Sequence, residues 1–144
     1  MSTNLVSRVF QSLLKHSVLK HSLVKFIGVG ILNTLLSVVV IFSLKYFANI
    51  SDLLANAIGY AVGLSCSFIL NKRWTFNHSD NVLSTIPKFL LVFAVSYLFN
   101  IATVLSLIKF GINPYFAHLA GIPIYSVLFY IGSRHYVFKK PRYL

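Results

Sequence analysis

The sequence predicts an all-α integral membrane protein: four transmembrane helices built as two parallel-repeat helical hairpins, preceded by a short amphipathic N-terminal helix. Three observations predict it. Of 144 residues, 57% are hydrophobic and only 10% are charged, against about 25% charged in a soluble domain. The few charges lie between four long apolar runs. The second half of the chain also repeats the first.

Residues 1–24 form the first element. Leu5, Val6, Val9, Phe10, Leu13 and Leu14 recur at helical spacing, with Arg8, Gln11, Ser12, Lys15 and His16 opposite. That pattern predicts a basic amphipathic helix on the cytoplasmic membrane surface, either as an anchor or as a contact for a partner protein. The spans follow. Phe26–Leu44, Leu53–Leu70, Phe89–Ile108 and Tyr115–Gly132 are each 18–20 residues long without a Lys, Arg, Asp or Glu. At about 1.5 Å per residue each covers roughly 27–30 Å, the thickness of a hydrocarbon core. Helices are required there, because no water satisfies open backbone groups. The first run is too long for a cleavable signal peptide and lacks a small-residue cleavage site, so it is expected to remain.

Charge sets the orientation. Arg8, Lys15, Lys20 and Lys25 precede the first span. Lys72, Arg73 and Lys88 lie between the second and third, and Arg134, Lys139, Lys140 and Arg142 follow the fourth. Only Lys45 and Lys109 fall in the other two loops. The positive-inside rule then places both termini and the 77–87 loop in the cytoplasm of a multi-pass protein of the cell's inner (cytoplasmic) membrane. The net charge of +11 does not indicate nucleic acid, which needs a basic face in water beside a foldable core.

The repeat divides the chain into hairpins at 25–76 and 88–138, followed by a basic tail at 139–144. Lys25-Phe26 matches Lys88-Phe89, and Val29 and Leu35 match Val92 and Leu98. After a one-residue slip, Ala55, Gly59, Ile69 and Phe76 match Ala117, Gly121, Ile131 and Phe138. Asn71-Lys72-Arg73-Trp74-Thr75-Phe76 corresponds to Ser133-Arg134-His135-Tyr136-Val137-Phe138. Two crossings per half give both halves the same orientation, as in transporters with an axis along the membrane normal. Ala55, Gly59, Gly63 and Ser67 form a ridge that lets another helix come close. In the second half Tyr125 and Phe129 replace its upper part. Pro123 removes a backbone bond and is expected to kink the fourth helix.

Enzymatic catalysis is not expected. Asp52 and Asp80 are the only acids, and neither stands at motif spacing from a base or nucleophile. No metal cluster, phosphate-cradling loop or nucleotide motif appears, so no cofactor is expected. Cys66 is alone and reads as small packing. No span holds a carboxylate, which disfavours a proton-coupled exporter of cations and favours an anionic ligand. Lys72, Arg73, Arg134 and His135, with Lys25 and Lys88 at the starts of the first and third spans, are the expected lipid-phosphate ligands, Arg by its fork and Lys by point charge. Their plainer role is as ordinary positive-inside flanks with an aromatic belt. Asn33, Asn56, Asn71, Asn100 and His118 are read as a polar path for a headgroup; the four within spans serve otherwise as interhelical hydrogen bonds.

These residues resemble the GtrA-like family of small membrane proteins. The resemblance rests on Lys25-Phe26-x-x-Val29-Gly30-x-x-Asn33-Thr34, on Asn56, Gly59 and Gly63, and most specifically on Ser67-Phe68-Ile69-Leu70-Asn71-Lys72-Arg73-Trp74-Thr75-Phe76. It covers Lys25 to about Phe138. It implies four transmembrane helices and a flippase that moves an undecaprenyl- or polyprenyl-phosphate-linked sugar, often glucose, to the outer leaflet for cell-surface polysaccharide glycosylation. Membrane lipids and a membrane glycosyltransferase are the partners it implies. Ser133-Arg134-His135-Tyr136 keeps the character of the motif without its letters. Two other readings stay open: a non-transporting subunit that anchors or organises a glycosyltransferase, and a small-solute transporter. Four helices make a thin wall around a polar path, which also leaves a homodimer open.

Overall fold

The computed structural model describes the backbone of residues 3–139 and the side chains of residues 20–139. Its described residues form four α-helices: α1 Thr3–Ala48, α2 Asp52–Leu70, α3 Val82–Lys109 and α4 Pro114–Gly132. Five-residue π-helical turns extend α2 and α4, over Asn71–Thr75 and Ser133–Val137. Four segments are long and apolar enough to cross a membrane: Lys20–Ala48, Asp52–Thr75, Val82–Lys109 and Pro114–Val137. All four expected spans are therefore helical, and each runs past the apolar stretch that identified it.

The division expected at residue 24 is not a break in the backbone, because α1 is one continuous helix of 46 residues. No Gly or Pro interrupts residues 17–27, so propensity carries the helix through. The side chains of the amphipathic pattern over Leu5–Leu14, and the tail residues Lys140 and Arg142, lie outside the described residues.

The chain divides into two compact units, Met1–Asn77 and His78–Leu144. In the first, α1 packs on α2 through the predicted ridge, and Ala55, Gly59, Gly63 and Ser67 are all buried. The opposing row on α1 is Asn33, Ser37 and Ile41. A Cβ at Gly59 would strike the Ile41 side chain and sit 3.0 Å from the Ser37 carbonyl oxygen; one at Gly63 would strike Ser37 Oγ and Asn33 Oδ1. Lipid gives helices little hydrophobic reason to associate, so this close approach and its dispersion contacts hold the hairpin. At the loop end Lys45 pairs with Asp52, and Asn49 takes a positive φ of 49°, which asparagine tolerates better than most residues.

The second unit repeats the lower part of this contact and departs from the rest. Ala117 and Gly121 are buried in α4. A Cβ at Gly121 would lie 2.7 Å from Asn100 Nδ2 and 2.8 Å from Val104 Cγ2, the counterparts of Ser37 and Ile41. At the next two ridge positions the small residues stop, although a Cβ at Gly132 would again strike α3, at Val92. Phe93, Tyr125 and Phe129 pack as rings, with Tyr125 and Phe129 stacked at 5.4 Å and Phe93 edge-on to both. Pro87 and Pro123 both lie inside helices. The α3 and α4 N-termini are capped by Asn81 and Asn113, whose side chains accept from Leu83 N and Tyr115 N at 2.9 and 3.0 Å. Such caps satisfy helix donors that would otherwise be open.

Replacing Gly63 by Leu should destabilise the hairpin by about 1–3 kcal/mol, the usual cost of overpacking, or prevent assembly. Ile69→Leu, at a position half exposed to the surroundings, should be neutral. Thermal stability and yield in detergent measure both, and equal values for the two variants would remove the ridge as the helix contact.

Candidate functional site

The two basic–aromatic junctions share one backbone form that periodicity did not reveal. The sequence led us to expect helix ends at these points; instead each helix widens into a π-helical turn. Phe76 N donates to Asn71 O at 2.9 Å and Phe138 N to Ser133 O at 2.8 Å, both five residues back. Single π turns inside helices occur often at functional sites. The turn draws its first residue inward: Asn71 is 1% exposed and Ser133 is fully buried. Asn71 Nδ2 donates to Ser67 Oγ at 3.2 Å. Asn71 Oδ1, Thr75 Oγ1 and Ser133 Oγ are buried without a hydrogen-bond partner, and such an atom costs about 1–3 kcal/mol.

Matched aromatic pairs pin the turns to the preceding helix of each hairpin. Phe26 and Phe76 lie 6.2 Å apart at 56°, and Phe89 and Phe138 lie 6.2 Å apart at 50°. The repeat alignment had already placed these four residues at equivalent positions.

The charges at these ends differ between units. In the first, Lys25 Nζ stands 5.4 Å from the Trp74 ring centre and donates to the Trp74 carbonyl at 3.4 Å. An ammonium over an indole face is a favourable contact. Lys72 is 7% exposed within the turn, and Arg73 is exposed. Lys25, Lys72 and Arg73 thus gather at one end, while Asp52 is engaged with Lys45 at the other. In the second unit Arg134 is half-buried and its Nη1 donates to the Tyr130 hydroxyl at 3.0 Å, whereas His135 and Lys88 are exposed. Asp80, which the sequence left without a base at motif spacing, meets His78 at 3.2 Å, and the His78 ring lies edge-on to Phe138 at 5.6 Å. Their separation of two residues in a loop gave no signal.

Of the five residues read as a polar path, the structure brings two together. Asn33 and Asn56 line a groove of about 460 Å³ in the first unit, beside Thr34, Ser37, Phe42 and Tyr60. Asn71 lies in the π turn instead, Asn100 packs against Gly121, and His118 is exposed. Ser37 and Tyr60 were missed, because serine and tyrosine occur throughout these spans and only the fold sets them beside Asn33. Among the described residues no three of His, Cys, Asp and Glu cluster to hold a metal. The basic ends can hold an anion, and the groove can hydrogen-bond an uncharged polar group.

Comparison with known proteins identifies the family. The family model described as "GtrA/DPMS, transmembrane domain" matches residues 25–138. The chain is 42% identical over 60 residues to proteins named bactoprenol-linked glucose translocase from Shigella phages SfII and SfV, covering 42% of this chain and 50% of each relative. It is 37% identical over 59 residues to a prophage bactoprenol-linked glucose translocase homolog of Escherichia coli strain K12, covering 41% of this chain and 49% of that one. The chain thus spans about half the length of the curated relatives it matches.

The Lys25–Trp74 contact has a direct readout, because Trp74 is the single tryptophan. Adding a short-chain prenyl phosphate to the purified protein should draw the ammonium toward the phosphate and shift the Trp74 emission. Lys25→Gln should lose most of that shift. An unchanged spectrum at saturating lipid would take Lys25 out of any phosphate site.

Proposed function

The chain belongs to the GtrA/DPMS transmembrane-domain family, and on that premise we propose that it moves a polyprenyl-phosphate-linked sugar from the cytoplasmic to the outer leaflet of the inner membrane. The observation that carries this reading is the pair of basic π-helical turns, built alike at matched ends of two hairpins. Naming of the relatives as translocases of a bactoprenol-linked glucose supports it.

The physical logic follows the parts of the lipid. The prenyl tail is as apolar as the hydrocarbon core and can stay there, so only phosphate and sugar need a path. A phosphodiester leaving water loses hydration that must be replaced by charge and hydrogen bonds. At the basic ends Arg73 and Arg134 offer planar forks for phosphate oxygens, and Lys25, Lys72 and Lys88 add point charge. Loop charges orient these ends to the cytoplasm, where the lipid is loaded. No nucleotide chemistry is assigned to the chain.

Orientation is checked by single-cysteine labelling in a Cys66→Ser background. Ser79→Cys should react with a membrane-impermeant reagent only from the cytoplasmic side; reaction from outside would reverse the arrangement. Function is checked in liposomes with polyprenyl-phosphoglucose. Arg73→Ala and Arg134→Ala should each lower translocation roughly ten- to a hundredfold at subsaturating lipid, since a charge-assisted hydrogen bond contributes about 1.5–3 kcal/mol. Lys at either position should restore part of the rate, and a flank that served orientation alone would accept Lys fully. Normal translocation in a correctly inserted double variant would remove the two arginines from the mechanism.

A further inference from the structure

We propose that the groove between α1 and α2 is a transit site for the sugar itself, and that it selects an uncharged hexose; this rests on the translocase reading above. Asn33, Ser37, Asn56 and Tyr60 carry the assignment.

Position comes first. The basic end holds Lys25, Lys72 and Arg73, whereas the groove begins at Asn33 and continues to Phe42 on α1, facing Asn56 and Tyr60 on α2. Asn33 follows Lys25 by eight residues, roughly 12 Å along the helix at 1.5 Å per residue. A headgroup in the groove has therefore left the basic end and advanced toward the loop. The groove's volume of about 460 Å³ lies within the roughly 300–1,000 Å³ typical of small-molecule sites.

Chemistry comes second. Polar groups at membrane depth are costly and normally find partners inside the protein. Here the hairpin leaves capacity open. Asn33 lines the groove, while its Oδ1 is buried beside Gly63 of α2 without a partner. Asn56 commits one amide hydrogen to the Asp52 carbonyl at 2.7 Å, and a carboxamide still has a second hydrogen and an acceptor. Thr34 bonds back to Gly30 O at 3.0 Å and adds little. Carboxamides and hydroxyls of this kind match sugar hydroxyls, which both donate and accept. Tyr60 adds a ring face for the C–H side of a pyranose. Among the described residues lining the groove none is charged, so a uronate or an ammonium would be stripped of water there without a counterion.

The two hairpins differ at this place. Tyr125 stands where the first unit has Gly63, and it packs with Phe93 and Phe129. In the first unit Gly63 lets α2 close on the polar row Asn33–Ser37, and both residues also line the edge of the groove. The assignment is therefore to the first hairpin alone.

The test uses the full chain in liposomes and a polyprenyl-phosphoglucose carrying a diazirine on the sugar. Photolabelling mapped by mass spectrometry should fall on residues 33–42 and 56–60. Excess unlabelled polyprenyl-phosphoglucose should abolish this labelling, and polyprenyl-phosphoglucuronate should leave it in place. Labelling confined to other residues, or equal competition by the glucuronate lipid, would overturn the proposal. Translocation is scored in the same vesicles by sugar exposure in the opposite leaflet. Groove labelling with no translocation would sink the translocase reading and leave a sugar-binding groove standing. Translocation without groove labelling would do the reverse, and the absence of both would end both.

Discussion

At Gly63 two helices meet with no side chain of α2 between them, and the first hairpin's arrangement depends on that missing atom. Lipid tails are as apolar as leucine, so helices in a membrane gain little by hiding hydrophobic surface from their surroundings. What holds α1 to α2 is close contact. The stripe Ala55–Gly59–Gly63–Ser67 gives α1 a smooth face, and Asn33, Ser37 and Ile41 settle onto it. Polar groups are thereby lodged at membrane depth on a surface that a larger residue would have covered. The groove beside Asn33 and Asn56 borders this seam and shares Asn33, Ser37 and Ile41 with it.

The π-helical turns show a second use of backbone geometry. An ordinary α-helical end would have presented Lys72 and Arg73 as flanks anchored at the headgroup level. Widening the helix by one residue turns Asn71 and Ser133 into the interior and buries Lys72, while Arg73 and His135 stay exposed. Phe76 and Phe138, placed by the i to i−5 bonds, close on Phe26 and Phe89. The same device thus sets the charges at the basic end and ties each hairpin together there. It is retained in both halves although only the character of the motif, not its letters, is common to them.

Where the halves diverge, they diverge in a physically consistent way. Glycine, serine and asparagine in the first hairpin make a polar, close-packed seam; tyrosine and phenylalanine in the second make an aromatic one. Phe89, Phe93, Tyr125, Phe129 and Phe138 fill the second hairpin with edge-on and stacked rings, which gain energy from geometry as well as area. A repeat that keeps its ends and changes its middle is what one expects when two copies share the task of their basic ends and differ in that of their seams.

Much of this was legible in the residues. The spans could be read because eighteen or more consecutive uncharged residues have one stable conformation in lipid, and the matched ends could be read because Lys-Phe and the basic–aromatic run repeat in letters or in character. The ridge could be read from spacing alone. The π turns could not, since a one-residue widening leaves no mark on hydropathy and depends on Phe26 and Phe89 being there to receive Phe76 and Phe138. Nor could the sorting of the polar residues: Asn33, Asn56, Asn100 and His118 look alike along the chain, yet only the first two share a groove. Periodicity fixes which face of a helix a residue occupies. Which of those faces meets a glycine, a ring or open space is decided only when the helices are packed, because that depends on the partner's side chain rather than on the residue's own.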